Sequence, residues 1–169
     1  SFLKALKRLA DEGYTFAIPS FTFSFTKTGK FNKVFTPSET GILADWVFEL
    51  NQSVRTEHPI YSHVLIGPKS KEALYASNKT CFGEDSIYSI FKKKNACIVM
   101  FGCGWEYCTS FHYFEEKYQV PYRFYKKFYY WNSKTEYTEM YARNLKMKPK
   151  NDFLSAIENL REKSSLISH

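Results

Sequence analysis

Residues 96–116 constrain the fold more than any other stretch of this chain. The segment opens with the apolar run Ala96, Cys97, Ile98, Val99, Met100, Phe101, β-branched at its centre. A continuous apolar run bounded by turn residues is the pattern of a strand buried on both faces. Gly102 and Gly104 follow and permit a tight turn. Beyond them Tyr107, Phe111, Phe114 and Tyr118 recur at helical spacing and predict one apolar stripe. Thr109, His112 and Glu115 fall three apart, so the same helix stacks them on a neighbouring face. Strand, glycine turn and helix in that order form the layout in which open α/β sheets hold their sites. Spacing alone leaves two readings of the pair. His112 and Glu115 are a base with its orienting carboxylate, or a half-buried histidine beside a solvated one.

The rest of the chain alternates short apolar segments with amphipathic ones, which implies an α/β protein. Leu3, Leu6 and Leu9 form the stripe of a first helix that Gly13 stops. Residues 14–18 read as a strand ending at Pro19, and residues 21–25 alternate aromatic with Thr and Ser as a half-buried strand does. Residues 36–41 are Thr, Pro, Ser, Glu, Thr and Gly, a loop whose hydroxyls and free N–H groups suit a phosphate or an amide. The same residues also suit a helix start, with Ser38 as N-cap and Ile42, Leu43, Trp46, Val47 and Leu50 as the apolar side. Residues 64–66 form a short strand closed by Gly67 and Pro68. Residues 70–75 and 86–92 read as helices. Residues 120–131 interleave aromatics with Arg123, Lys126 and Lys127; strand propensity favours a strand over a stacking surface for sugars or bases. Asn151 or Asp152 caps a final helix that buries Phe153, Leu154, Ile157 and Leu160.

At 169 residues and 44% hydrophobic content, the chain is one domain with a real core rather than a disordered segment. No run reaches transmembrane length, so no membrane partner is expected and the reading is cytoplasmic. The net charge of +7 fits an anionic partner, or nothing beyond solubility. The three consecutive lysines at 92–94 are too short a run to argue for nucleic acid. Cys81, Cys97, Cys103 and Cys108 form no Cys-x-x-Cys and lie at no zinc-finger spacing, so no metal is expected. Cys97 reads as a buried small hydrophobe, and Cys108 is a weak candidate for a nucleophile.

Three motifs in fixed order resemble the aminoglycoside 3-N-acetyltransferase family. Gly102, Gly104-Trp105 and Thr109-x-x-His112-x-x-Glu115 match its Gly-x-Gly-Trp and Thr-x-x-His-x-x-Glu run. Residues 36–41 match a Thr-Pro-Ser-x-Met-Gly loop, with Thr40 in place of Met. Residues 55–62 match Arg-Ser-x-His-Pro-x-x-Ser, with Thr56 in place of the first Ser. Gly83 and Ser86 echo a later Gly-x-x-Ser-Pro, with Ile87 in place of Pro. The likeness covers roughly residues 13–128.

The resemblance implies a three-layer α/β/α fold with a central mixed sheet, in a single domain over 1–169 lacking the family's first strand and part of its first helix. It implies an acetyl-CoA-dependent N-acetyltransferase of the kind associated with antibiotic resistance. His112 would be the general base, a task suited to imidazole with its ordinary pKa of about 6.5, and Glu115 would orient it. Thr36, Ser38, Gly41, Arg55, His58, Ser62 and Thr109 would hold coenzyme A. The acceptor is a small-molecule amine, an amino sugar or an aminoglycoside. A basic aromatic stretch after the motif favours the amino sugar over a polycation. A homodimer is allowed for, and nucleic acid is not expected. The rival is a non-catalytic module that binds carbohydrate or nucleic acid through residues 122–131.

Overall fold

The computed structural model describes residues 2–146. Its centre is an antiparallel sheet of order β1-β3-β2, formed by β1 (Phe16–Pro19), β2 (Ser53–Arg55) and β3 (His63–Ile66). All four residues of β3 are buried, because the middle strand has side chains on both faces to cover. Val64 and Ile66 pack with Leu6 and Ala10 of α1 (Phe2–Asp11) and with Ala44 and Val47 of α3 (Ile42–Phe48). Leu65, on the opposite face, joins an aromatic core of Phe21, Phe25, Tyr61, Phe82, Tyr88, Tyr113 and Phe128. Each large side chain buried in full contributes about 1.5–3 kcal/mol, so these two clusters fix the layering. Tyr88 comes from α4 (Ile87–Lys93) and Tyr113 from α5 (Phe111–Lys117). Ser86 caps α4 by accepting from Ser89 N–H at 3.4 Å. A 3₁₀ segment covers Ser70–Tyr75, and another covers Trp105–Tyr107.

A separate hairpin pairs β4 (Arg123–Tyr129) with β5 (Tyr137–Arg143), from Arg123 opposite Arg143 to Tyr129 opposite Tyr137. It docks through Phe128 and Thr138, both buried, and through Trp131 N–H, which donates to Gly29 O at 2.8 Å. Gly29 ends the short α2 (Phe25–Thr28) with φ +65°. A Cβ there would meet Trp131 N and Tyr129 O at 2.7 Å, so the close approach needs glycine.

The structure corrects five expectations. Residues 96–101 are not a strand, and Ile98, Val99 and Phe101 are exposed. A doubly buried strand needs neighbours, and among the described residues none pairs with it. Phe101 instead stacks on Phe2 of α1 at 4.8 Å. Cys97 is exposed with the run around it. On α5 the buried residues are Tyr113 and Glu116; Tyr107, Phe114 and Tyr118 face outward because Tyr113 is what meets the aromatic core. Residues 21–25 turn instead of extending, since Glu39 accepts Ser24 N–H at 3.0 and 3.1 Å and Thr26 bonds back to Phe23 O. Ser38 does not cap α3, which begins behind Gly41 at φ +113°; Ser38 Oγ lies 3.0 Å from Thr40 Oγ1 instead.

The described residues form a mixed α/β unit with two antiparallel sheets, where a mixed sheet was expected. The final helix expected from residue 151 lies outside the described residues.

Candidate active site

The site is built on the exposed side of α5 and closed by the start of β4. His112 Nδ1 lies 2.5 Å from Glu115 Oε2, one helical turn on. Arg123 Nη2 reaches the same Oε2 at 2.8 Å, and Tyr122 Oη–H donates to Oε1 at 2.8 Å. Burial alone would raise the Glu115 pKa. The hydrogen bond and charge of His112, with Tyr122 and Arg123 beside it, bring it below the usual carboxylate range. The His112 and Phe82 rings pack in a T-shaped pair with centroids 5.1 Å apart. The histidine side chain keeps about a third of its surface exposed, at 32%. Among the described residues its Nε2 has no hydrogen-bond partner. Nδ1 can donate to the ionised carboxylate, and in the neutral ring that tautomer leaves the lone pair of a base on Nε2.

Sequence spacing brings His112 and Glu115 together correctly. Thr109 sits one turn before, its carbonyl accepting His112 N–H at 3.0 Å. Tyr122 and Arg123 were candidates only for the rival binding surface of residues 122–131, not for the catalytic pair. They follow α5 across a turn, and no periodicity links them to Glu115.

The coenzyme candidates divide into two groups. Thr36, Ser38 and Gly41 lie in the partly exposed loop of residues 36–41. Arg55, His58 and Ser62 are buried and committed to the chain itself. The Arg55 guanidinium donates to Ser62 Oγ at 3.1 Å, Ser20 O at 3.0 Å, Thr22 Oγ1 at 3.3 Å and Thr36 O. Burial lowers its pKa while the charge of Asp45 opposes that. Arg55 therefore holds the loop by its carbonyl rather than reaching past it. His58 Nδ1 accepts Ile60 N–H and Tyr61 N–H at 3.1 and 2.9 Å, and burial pushes its pKa down to about 3. The loop joins the core through Phe21, whose carbonyl accepts Glu39 N–H at 2.8 Å. Ring contacts then run from Phe21 to Tyr61, Phe82 and His112, at 4.9, 4.7 and 5.1 Å.

Cys108 is buried, and burial raises its pKa, which disfavours the thiolate a nucleophile requires. The aromatic stretch is largely exposed strand, as strand propensity indicates. Two of its rings carry the chain's own cations, Lys126 on Phe128 at 4.9 Å and Lys30 on Trp131 at 4.2 Å, while Phe124, Tyr125 and Tyr129 are each 47% exposed.

The family model described as aminoglycoside 3-N-acetyltransferase matches residues 6–169. No curated protein matches the chain significantly in sequence. Among solved structures, the apoenzyme of aminoglycoside acetyltransferase AAC(3)-IVa is 19% identical with a TM-score of 0.72, over 96% of this chain and 62% of that one. AAC-IIIb in its binary form with CoASH is 14% identical with a TM-score of 0.69, over 89% and 66%. The YokD protein from Bacillus subtilis is 19% identical with a TM-score of 0.61, over 82% and 60%. At these identities the likeness is one of fold. The chain spans 60–66% of the length of these structures.

Proposed function

Because this chain belongs to the aminoglycoside 3-N-acetyltransferase family, we propose that it is an acetyl-CoA-dependent N-acetyltransferase acting on an amine of an aminoglycoside or related amino sugar. The observation that carries the reading is the His112–Glu115 pair at 2.5 Å, with no hydrogen-bond partner on Nε2 among the described residues. His112 Nε2 takes a proton from the acceptor amine as its nitrogen attacks. Glu115 holds the ring in the Nδ1–H tautomer and balances the imidazolium that forms. Acetyl-CoA, when bound, supplies the acyl carbon activated as a thioester. The new C–N bond replaces the C–S bond, and the imidazolium returns its proton to the departing sulfur. Transfer is direct, in a ternary complex, because burial raises the pKa of both buried thiols, Cys81 and Cys108, and disfavours a covalent thiolate step.

The loop of residues 36–41 and Thr109 fit the cofactor by exposure. Arg55, His58 and Ser62 fit it only at one remove, as the frame that shapes the loop. The same reading includes a single cytoplasmic domain with three layers around a central sheet. Its support is that α1 and α3 cover one face of β3 while residues of α4 and α5 cluster with Leu65 on the other.

The test is thiol release from acetyl-CoA with the wild type and His112→Gln, against aminoglycosides and neutral amino sugars. His112→Gln should lower turnover by about 10²–10⁴ while the fold survives. Full activity in a folded His112→Gln protein would remove His112 as the base. Absence of turnover with every amine in the wild type would remove the transferase reading.

A further inference from the structure

A lone carboxylate 2.5 Å from an imidazole favours the doubly protonated ring, which cannot accept a proton. The third member of the cluster changes that balance. We propose that Arg123 is the positioning residue of this site: its guanidinium pins the Glu115 carboxylate against Nδ1 and offsets its charge, so that His112 presents an unprotonated Nε2 to the acceptor. The proposal rests on the general-base reading above.

The geometry supports it at each contact. Arg123 is the first residue of β4, and only 8% of its side chain is exposed. Its Nη1 donates to Tyr141 O at 2.9 Å, so the hairpin fixes its place rather than α5. Its Nη2 lies 2.8 Å from Glu115 Oε2 and 2.8 Å from His112 Nδ1. A guanidinium never accepts, so Nδ1 either donates to Glu115 or accepts from Arg123, and it cannot do both. The shorter approach to Oε2, and the charge on that oxygen, select donation to Glu115. Arg123 then donates to Oε2 as well, and Tyr122 occupies Oε1.

The groups against the ring are Glu115 from α5, Arg123 at the entry to β4, and Phe82, which brings no charge; Tyr122 reaches Glu115 rather than the ring. Tyr141 and Arg143 of β5 lie behind them, across the ladder. Arg123 stands directly opposite Arg143, an arrangement that weakens a hairpin by itself. Glu115 is the group that balances it.

The experiment uses the full chain as wild type, Arg123→Gln and Arg123→Lys. Nitrogen-15 spectra of the His112 ring report its tautomer and protonation without any turnover, and the pH profile of acetyl transfer is measured beside them. In the wild type the Nδ1–H tautomer should dominate at neutral pH. In Arg123→Gln the ring should stay protonated to higher pH. The acid limb of kcat/KM should move with it, and kcat at neutral pH should fall by at least about tenfold with KM little changed. Arg123→Lys keeps the charge but cannot bridge Glu115 and Tyr141 O together, and should fall between. If Arg123→Gln does not fold, as judged by circular dichroism, Arg123→Lys carries the same comparison. Ring spectra and pH profile identical to the wild type in a folded variant would overturn the role of Arg123. Spectra that respond as expected, in a protein whose wild type acetylates no amine, would uphold the role and overturn the transferase reading instead.

Discussion

Thr138 Oγ1 lies 3.0 Å from His58 Nε2, and this buried contact ties the hairpin to the loop between β2 and β3. Because His58 Nδ1 accepts two backbone N–H groups, its hydrogen must sit on Nε2. A second proton would break both backbone bonds. The ring is therefore a neutral structural bolt.

The first prediction follows from that neutrality. Burial pushes His58 to about 3 and His63 to about 4, against an ordinary 6.5. A depressed histidine stabilises the fold above the unfolded value, and the contribution drains away as pH falls below about 6.5. His63 packs edge-on against Phe21, Tyr88 and Phe91, so phenylalanine suits its place. The melting temperature of His63→Phe relative to wild type should rise steadily between pH 7 and pH 4.5. A difference that stays constant over that range would contradict the argument.

Glu116 acts in the opposite direction. It is buried, its Oε2 has no hydrogen-bond partner among the described residues, and burial lifts its pKa from 4.5 to about 7. A raised carboxyl stabilises the fold below about 4.5, and that stability is lost as pH rises through about 7. Glu116→Gln should match wild type near pH 5 and exceed it near pH 8 by at least about 3 °C in melting temperature. Equal melting at pH 8 would show that the carboxylate is already satisfied.

Arg55→Ala should unfold more easily by at least about 3 kcal/mol, measured by urea denaturation, because it leaves Thr36 O without its donor and removes the guanidinium's buried bonds to Ser20 O, Thr22 Oγ1 and Ser62 Oγ. Arg55→Lys should recover little of this, since an ammonium cannot span that fork. A variant that loses coenzyme A binding with unchanged stability would mean that Arg55 contacts the cofactor directly.

Gly29→Ala should destabilise by about 1–3 kcal/mol from backbone strain, with added crowding against the hairpin. Hydrogen exchange at Trp131 N–H should quicken in the variant, because that amide bonds Gly29 O. Unchanged protection there would mean that the hairpin tolerates the shift.

Local signals were legible where the relevant contact lies within a few residues. The stripe of Leu6 with its glycine stop gave α1, Ser86 gave the start of α4, and three-residue spacing brought His112 to Glu115. Signals failed where the contact is distant in the chain. Residues 96–101 carry the apolarity of a buried strand, yet apolarity does not supply the neighbour that would bury it. The partners of Arg55 were hidden because Ser20 and Thr36 are 35 and 19 residues away. Arg123 was read as part of an alternating strand, which it is, and its second use was invisible without the turn that folds β4 onto α5.

The exposed run at 96–101 also governs how this polypeptide behaves among its own copies. An uncharged, proline-free segment rich in β-forming residues is a template for intermolecular strand pairing. Lys92 and Lys93 stand at its entrance as gatekeepers that repel other copies, while Lys94 pairs with Glu72 at 2.5 Å. Their protection is electrostatic and reaches only about 10 Å in 0.1 M salt. Aggregation of this chain, followed by light scattering, should therefore rise with ionic strength.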